Sequence, residues 1–313
     1  MQLYKSRGFS DFFQDTFSFL KLNGKHFFKH YFITNGIFLI LLLVIGYFFT
    51  QFYSDFIFSG LSNQQNPGAL DGYMNENLPM FIILVILFCI VGLISGIISY
   101  SYTPIYLQLY NTHGSNNFET KTIITSYKRN IGKLLTFIVC GILMSIPLLI
   151  VFFICAFVLI ITIIGFLALP LLIGAFALFY YMALSEYLEN KKGIWDCFGY
   201  AWALLTSKFW AAVGCVGIFY LISYALQYII QLITSIFTMG SLFINPTSGT
   251  VNPTDVTGTM SVFMIVTFFL SFALSTILGS ILLLNQGIVF YSLKEDKEHI
   301  NTKDIIDQIG AGA

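Results

Sequence analysis

Apolar residues in this chain come in six long runs, each close to the roughly 20 residues that a helix rising about 1.5 Å per residue needs to cross a hydrocarbon layer about 30 Å thick. The runs fall at 31–54, 79–103, 134–159, 165–187, 209–233 and 261–292. The third and fourth make one nearly unbroken tract, too long for a single crossing, and 162–165 is where it divides into a tight hairpin. The pattern predicts an all-α fold: a polytopic integral membrane helical bundle with six transmembrane helices. Residues 1–293 form one transmembrane domain in this reading, and 294–313 a short cytoplasmic tail. Mixed polarity before the first run and no small-residue cleavage site after it predict an uncleaved anchor.

Three half-polar segments precede runs one, three and five. In the first, Phe9, Phe12, Phe13, Phe17 and Leu20 recur at helical spacing against Ser10, Asp11, Gln14, Asp15, Ser18 and Lys21. Ile123, Ile124, Tyr127 and Ile131 repeat the pattern, and Trp195, Phe198, Trp202 and Leu205 do so again. They lead into "NGKHFF", "NIGKLL" and "TSKFW", so a polar or small break is followed each time by a lysine (Lys25, Lys133, Lys208) and two large apolar residues. Such a lysine places its ammonium among headgroups while its stem lies on hydrocarbon. Three cytoplasmic-side amphipathic interfacial helices are therefore expected. Either they belong to a three-fold repeat of interfacial helix, outward span and return span, or they reflect the general habit of multispan proteins to place such segments just inside the membrane.

Charge sets an expected orientation. The fifteen Lys and Arg residues all fall on one side of the six spans: Lys5, Arg7, Lys21, Lys25 and Lys29; Lys121, Lys128, Arg129 and Lys133; Lys191, Lys192 and Lys208; Lys294, Lys297 and Lys303. The other side carries only Asp55, Asp71, Glu76 and Asp255. By the positive-inside rule both termini are expected in the cytoplasm and the protein in the inner (cytoplasmic) membrane.

The segment "WDCFGYAWALLTSKFWAAVGCVG" at 195–217, with "GIVFYSLKEDKE" at 287–298, resembles the membrane domain attached to some glycerophosphoryl diester phosphodiesterases and is similar to related six-span bacterial membrane proteins. Those phosphodiesterases carry catalysis in a separate soluble barrel. With only 294–313 beyond the last span, the resemblance implies a membrane module without that activity.

Composition agrees with lipid as the solvent: 57% of residues are hydrophobic and 10% charged, and the mean hydropathy is +0.81, far from soluble domains. The 34 Phe and 18 Tyr suit lipid-facing and interfacial surfaces. Net charge is zero, and no basic stretch is dense enough to neutralise a row of phosphates, so a nucleic-acid partner is not expected. Cys89, Cys140, Cys155, Cys197 and Cys215 show no CxxC spacing and read as small buried hydrophobes.

Candidate chemistry is sparse. Glu186 is the one acid inside the runs, His26, His30, His113 and His299 all lie on the cytoplasmic side, and HExxH, GxSxG and GxxxxGK[ST] do not occur. No catalytic residue, metal or cofactor is expected. Gln227 and Gln231, four apart, and Asn285 and Gln286, followed by Gly287, either bond between helices or line a cavity. Asn35 reads as an interfacial residue. Gly92 and Gly96, with Ser95 and Ser99 alongside, and Ser271, Ser275 and Gly279 form small-residue stripes for packing within the chain, in a homo-oligomer or on a partner. Pro147 and Pro170 are expected to kink spans three and four. Tyr102, Tyr106 and Tyr110, with Tyr180, Tyr181 and Tyr187, read as an interfacial belt, and Trp195, Trp202 and Trp210 as anchors. The outer loops, 55–78 and 234–260, with "NPT" at 245 and 252, suit recognition more than catalysis. The expected function is a non-enzymatic scaffold or accessory subunit binding membrane lipid, a protein partner or a second copy. The alternative is a transporter or permease for a lipid or other amphiphile, with Gln227, Gln231, Asn285 and Gln286 along its path.

Overall fold

The computed structural model of the protein describes residues 1–62, 69–189, 191–244 and 253–301. Every regular element among them is a helix: α1 (Phe9–Ser62), α2 (Ala69–His113), α3 (Thr120–Ile160), α4 (Ile163–Leu188), α5 (Ile194–Ser207), α6 (Phe209–Ile244) and α7 (Pro253–Glu298). All except α5 are long and apolar enough to cross a membrane, so the chain is a multi-pass, all-α integral membrane protein. The long apolar tract divides where its sequence predicts. Thr162 is extended, and its hydroxyl accepts from the Gly165 amide at 2.9 Å, capping α4. A Cβ at Gly165 would fall 2.1 Å from the Leu159 carbonyl oxygen, so only glycine fits there.

Two expectations about boundaries change. The helices run well into the expected outer loops, since α1 continues to Ser62, α2 begins at Ala69, α6 reaches Ile244 and α7 begins at Pro253. Residues 63–68 and 245–252, the side chains of Asp71 and Asp255, and Lys303 lie outside the described residues. Of the three amphipathic segments only the third is a separate helix, α5, which ends where Lys208 leaves helical geometry (φ −134°, ψ 50°). The other two are the first turns of α1 and α3. Single glycines at 24 and 132 cost only about 1 kcal/mol in a helix interior, and Asn130 donates to the Ser126 carbonyl within its own helix instead of breaking it. Likewise α3 and α4 continue as helix through Pro147 and Pro170.

The chain divides into two compact units. The first comprises Met1–Thr34, Ile97–Ile222 and the chain from Gly279 on. Its α1 buries Phe12, Thr16, Phe19, Asn23 and Phe27, whereas Phe9 and Phe17 of the expected apolar face are exposed. Tyr102, Tyr106 and Tyr110 are not an interfacial belt: all three are core residues, and the Tyr102 hydroxyl donates to the Phe27 carbonyl at 2.7 Å. Tyr181 is equally buried. On the exposed face, Phe13 and Phe17 pack against the Phe219 ring of α6. Helices α4 and α6 touch at Gly174 and Gly217: a Cβ on Gly217 would lie 2.4 Å from Leu171 Cδ2 and 3.1 Å from its Cα.

The second unit comprises Asn35–Gly96 and Ser223–Leu278. Within it α1 and α2 meet through Ser95, which donates to Asn35 Oδ1 at 3.3 Å, so Asn35 is a buried packing residue and not an interfacial one. The Phe268 ring of α7 sits where a Gly46 side chain would be. The expected small-residue stripes are looser. Gly92 has only Leu42 at 4.0 Å, Gly96 has nothing within 4 Å, Ser271 is half-buried, and Ser275 is exposed. In the first unit Gly279 is also exposed, with nothing within 4 Å.

Backbone thus meets backbone between helices at Gly174 and Gly217, whereas Gly46 is approached by a side chain. Gly217→Leu is expected to destabilise the first unit by about 1–3 kcal/mol through overpacking. Gly96→Leu, facing open space, should stay within about 0.5 kcal/mol of wild type. Unfolding midpoints in mild detergent compare the two; equal effects would refute this assignment of the contact.

Candidate functional site

Two fully buried charges in the first unit sit where α4 and α7 end. Lys294 in α7 and Glu186 in α4 both have 0% exposed side chains. Neither helix can present its charge to water there, so each must find a partner inside the protein. The Lys294 ammonium donates to Glu186 Oε2, and to Glu189 Oε2 at 2.8 Å. The second oxygen of Glu186 faces the Lys192 ammonium at 2.9 Å. Lys192 extends the cluster to Glu298 at 3.8 Å, and Lys191 pairs with Glu189 at 3.4 Å. Three cations therefore meet three carboxylates, and the cluster is neutral.

Aromatic rings close it. The Tyr200 ring of α5 lies under the Lys192 ammonium, 3.2 Å from nitrogen to centroid, while its hydroxyl donates to Glu298. Tyr4 packs edge-on against Tyr291 at 5.0 Å and its hydroxyl donates to Glu189 at 3.4 Å. Burial pushes both phenols well above their usual range; for Tyr4 the charge of Glu189 adds to it, and for Tyr200 the hydrogen bond to Glu298. Both therefore remain neutral donors. Burial, with the nearby Glu186 charge, pushes the Cys197 thiol up to about 11, so it is no nucleophile near neutral pH. Among the described residues no group of three or more His, Cys, Asp or Glu is placed to hold a metal ion. The arrangement consumes its own charge and ties α4, α5, α7 and the N-terminal segment together.

A second internal anchor joins the N-terminal segment to α1. Fully buried Arg7 donates to Asp15 at 2.7 Å and to the carbonyls of Leu3, Lys5 and Gln2. A third is Asn285 in α7, whose amide donates to Thr16 Oγ1 of α1 at 2.9 Å and approaches Cys215 of α6 at 3.5 Å. Its neighbour Gln286 is also fully buried, yet neither amide atom has a hydrogen-bond partner among the described residues.

The other residues singled out by the sequence are scattered. Gln227 is half-buried and Gln231 exposed, both in the second unit, whereas Asn285 and Gln286 belong to the first. Each unit thus holds one of the two pairs. Trp195, Trp202 and Trp210 are all exposed, Trp210 by 80%. Lys25 is exposed, but the corresponding lysines turn to protein. Lys133 donates to the Tyr187 carbonyl in the last turn of α4 at 2.7 Å, where the helix C-terminus is negative. Lys208 pairs with Asp296 at 2.7 Å. Sequence reasoning misses the Lys294 cluster. Its one signal in the sequence is Glu186, the lone acid in six apolar runs, and the principal partner of that acid lies 108 residues away.

Removing one member of a buried pair strands the other. Lys294→Met is expected to cost about 3–5 kcal/mol of stability, and Glu186→Leu with Lys294→Met to recover much of it, because the remaining cluster is again neutral. Detergent unfolding of the single and double variants checks this; an additive double variant would contradict it. No protein-family model, curated protein or solved structure matches the chain.

Proposed function

We propose that the protein is a non-enzymatic scaffold or accessory subunit of the inner membrane, with both termini cytoplasmic, whose first unit serves a partner protein or membrane lipid. The observation that carries this reading is the neutral, closed Lys294 cluster. An ionisable group in a spanning helix usually marks an ion or substrate path, but here Lys294 and Glu186 are held by Glu189, Lys192 and the Tyr200 ring. Such a cluster stiffens the ends of helices and keeps its central pair, Lys294 and Glu186, from cargo. The three exposed tryptophans support a second element of the reading, an amphipathic surface lying against lipid. The resemblance to a phosphodiesterase-associated membrane domain fits the same proposal of a module without its own catalysis.

Two measurements test it. With the five native cysteines replaced by alanine, Lys128→Cys and Lys191→Cys should be shielded from an impermeant maleimide in intact cells, and Asp55→Cys should react. Purification in mild detergent with mass spectrometry should then return a stoichiometric protein or lipid companion. A bare monomer, or labelling of Lys128→Cys from outside, would overturn the proposal.

One observation favours the transporter reading: the buried, unbonded amide of Gln286, which would suit a polar cargo. The two readings diverge on Gln286→Leu. For a scaffold, removing an unsatisfied buried amide should stabilise the protein by about 1–3 kcal/mol and leave companion binding intact. For a transporter it should abolish flux of the amphiphile in reconstituted vesicles.

A further inference from the structure

The cations of the Lys294 cluster are consumed internally, but Lys121 and Arg129 are not. Both are exposed and neither pairs with a carboxylate among the described residues. They line one pocket of about 490 Å³ between the end of α2 and the start of α3, together with Gln108, His113, Thr122 and Ser126. No carboxylate lines it. The connection between α2 and α3 beside it is tethered to α1. Gly114, at φ +67°, makes the turn out of α2, and His26 Nε2 donates to the Phe118 carbonyl at 3.0 Å while its Nδ1 accepts from Tyr106 at 2.8 Å. His30 bonds the Thr120 hydroxyl at the first residue of α3. The pocket is therefore a cationic concavity beside a tethered turn, lined by a guanidinium fork and an ammonium about two helical turns apart on one side of a helix.

The remainder of that helix face identifies the ligand. Lys121, Thr125 and Arg129 are spaced four apart, and the same face continues through Gly132 and Thr136 to Val139, Leu143, Ile146 and Ile150. All of these are exposed, the last four by 54–61%. The stripe changes from cationic to small and hydroxylic to purely apolar. Its apolar part, 139–150, rises about 16 Å, close to half of a hydrocarbon core about 30 Å thick.

We propose that the α2–α3 pocket binds the phosphate of an anionic lipid headgroup, with Lys121 and Arg129 on the phosphate and the acyl chains along Val139, Leu143 and Ile146. This deepens the reading of the protein as a lipid-binding membrane scaffold and rests on it. Phosphate chemistry is shared with free phosphate ion; the apolar continuation of the stripe selects the lipid.

The test uses full-length protein in mild detergent, titrated with phosphatidylglycerol or phosphatidylcholine, with bound lipid counted by native mass spectrometry. Wild type should favour phosphatidylglycerol. The double variant K121Q/R129Q should lose about tenfold in that affinity, and the charge-matched K21Q/K29Q, on exposed α1 positions, should stay within about twofold. Millimolar inorganic phosphate should leave the lipid bound. Equal losses in both double variants, or equal binding of the two lipids, would overturn the site; displacement by inorganic phosphate would reassign it to the free ion. Should K121Q/R129Q fail to fold, Arg129→Lys carries the test: it keeps the charge but loses the fork, and undiminished binding refutes the site. Wild type without a preference for phosphatidylglycerol, while a companion protein still copurifies, would sink this inference and leave the scaffold reading standing.

Discussion

A lysine ammonium with no exposed surface, just past the apolar run of α7, governs the end of the first unit where α4 and α7 meet. Lys294 is tolerable only because Glu186 and Glu189 meet it from the end of α4, and Glu186 only because Lys192 takes its other oxygen. In low dielectric these requirements fix relative position far more tightly than apolar packing, which tolerates sliding. The end of α7 must reach the end of α4, α5 must bring Tyr200 beneath Lys192, and Tyr4 must fold back onto Tyr291. The carboxylates also sit beyond the reach of simple helix association, because α4 and α6 touch separately at Gly174 and Gly217. Contact by small residues brings the helices together, and the ionic cluster sets their register.

Hydropathy makes the six spans and the α3–α4 hairpin legible, because bilayer thickness imposes a length on any apolar helix and Thr162 with Gly165 interrupts an otherwise continuous tract. The amphipathic segments are legible as helices but not in rotational phase. Along α1 the sequence points to Phe9, Phe12, Phe13, Phe17 and Leu20; the protein interior takes Phe12 from that set and adds Thr16, Phe19, Asn23 and Phe27. In water the greasier face is the buried one. In lipid both faces can be apolar, and the face meeting protein is the one that carries groups needing hydrogen bonds, as Thr16 does with Asn285.

The same confusion of solvents explains the tyrosines and serines. Tyr102, Tyr106 and Tyr110 have the composition of an interfacial belt but serve as internal donors and edge-to-face partners, with Phe27, His26 and Phe19. On α2 it is Ser95, in the second unit, that meets Asn35, while Gly96 beside it faces open space. Spacing alone gives both rows equal standing. Only the partner's position on another helix separates them, and that position is not encoded locally.

Counting charges groups all fifteen Lys and Arg residues on one side, yet the structure divides them by what they are bound to. Lys294, Lys192, Lys208 and Arg7 have carboxylates or carbonyls of their own chain. A charge so satisfied gains little by exchanging its partner for a ligand, since the exchange strands a carboxylate. Lys121 and Arg129 pair with no carboxylate among the described residues, and they line a concavity beside the connection that His26 and His30 tether at Phe118 and Thr120. An ion pair already made inside the chain is therefore a poor source of binding energy, and the denser collection of charge at Lys294 serves to hold helix ends together.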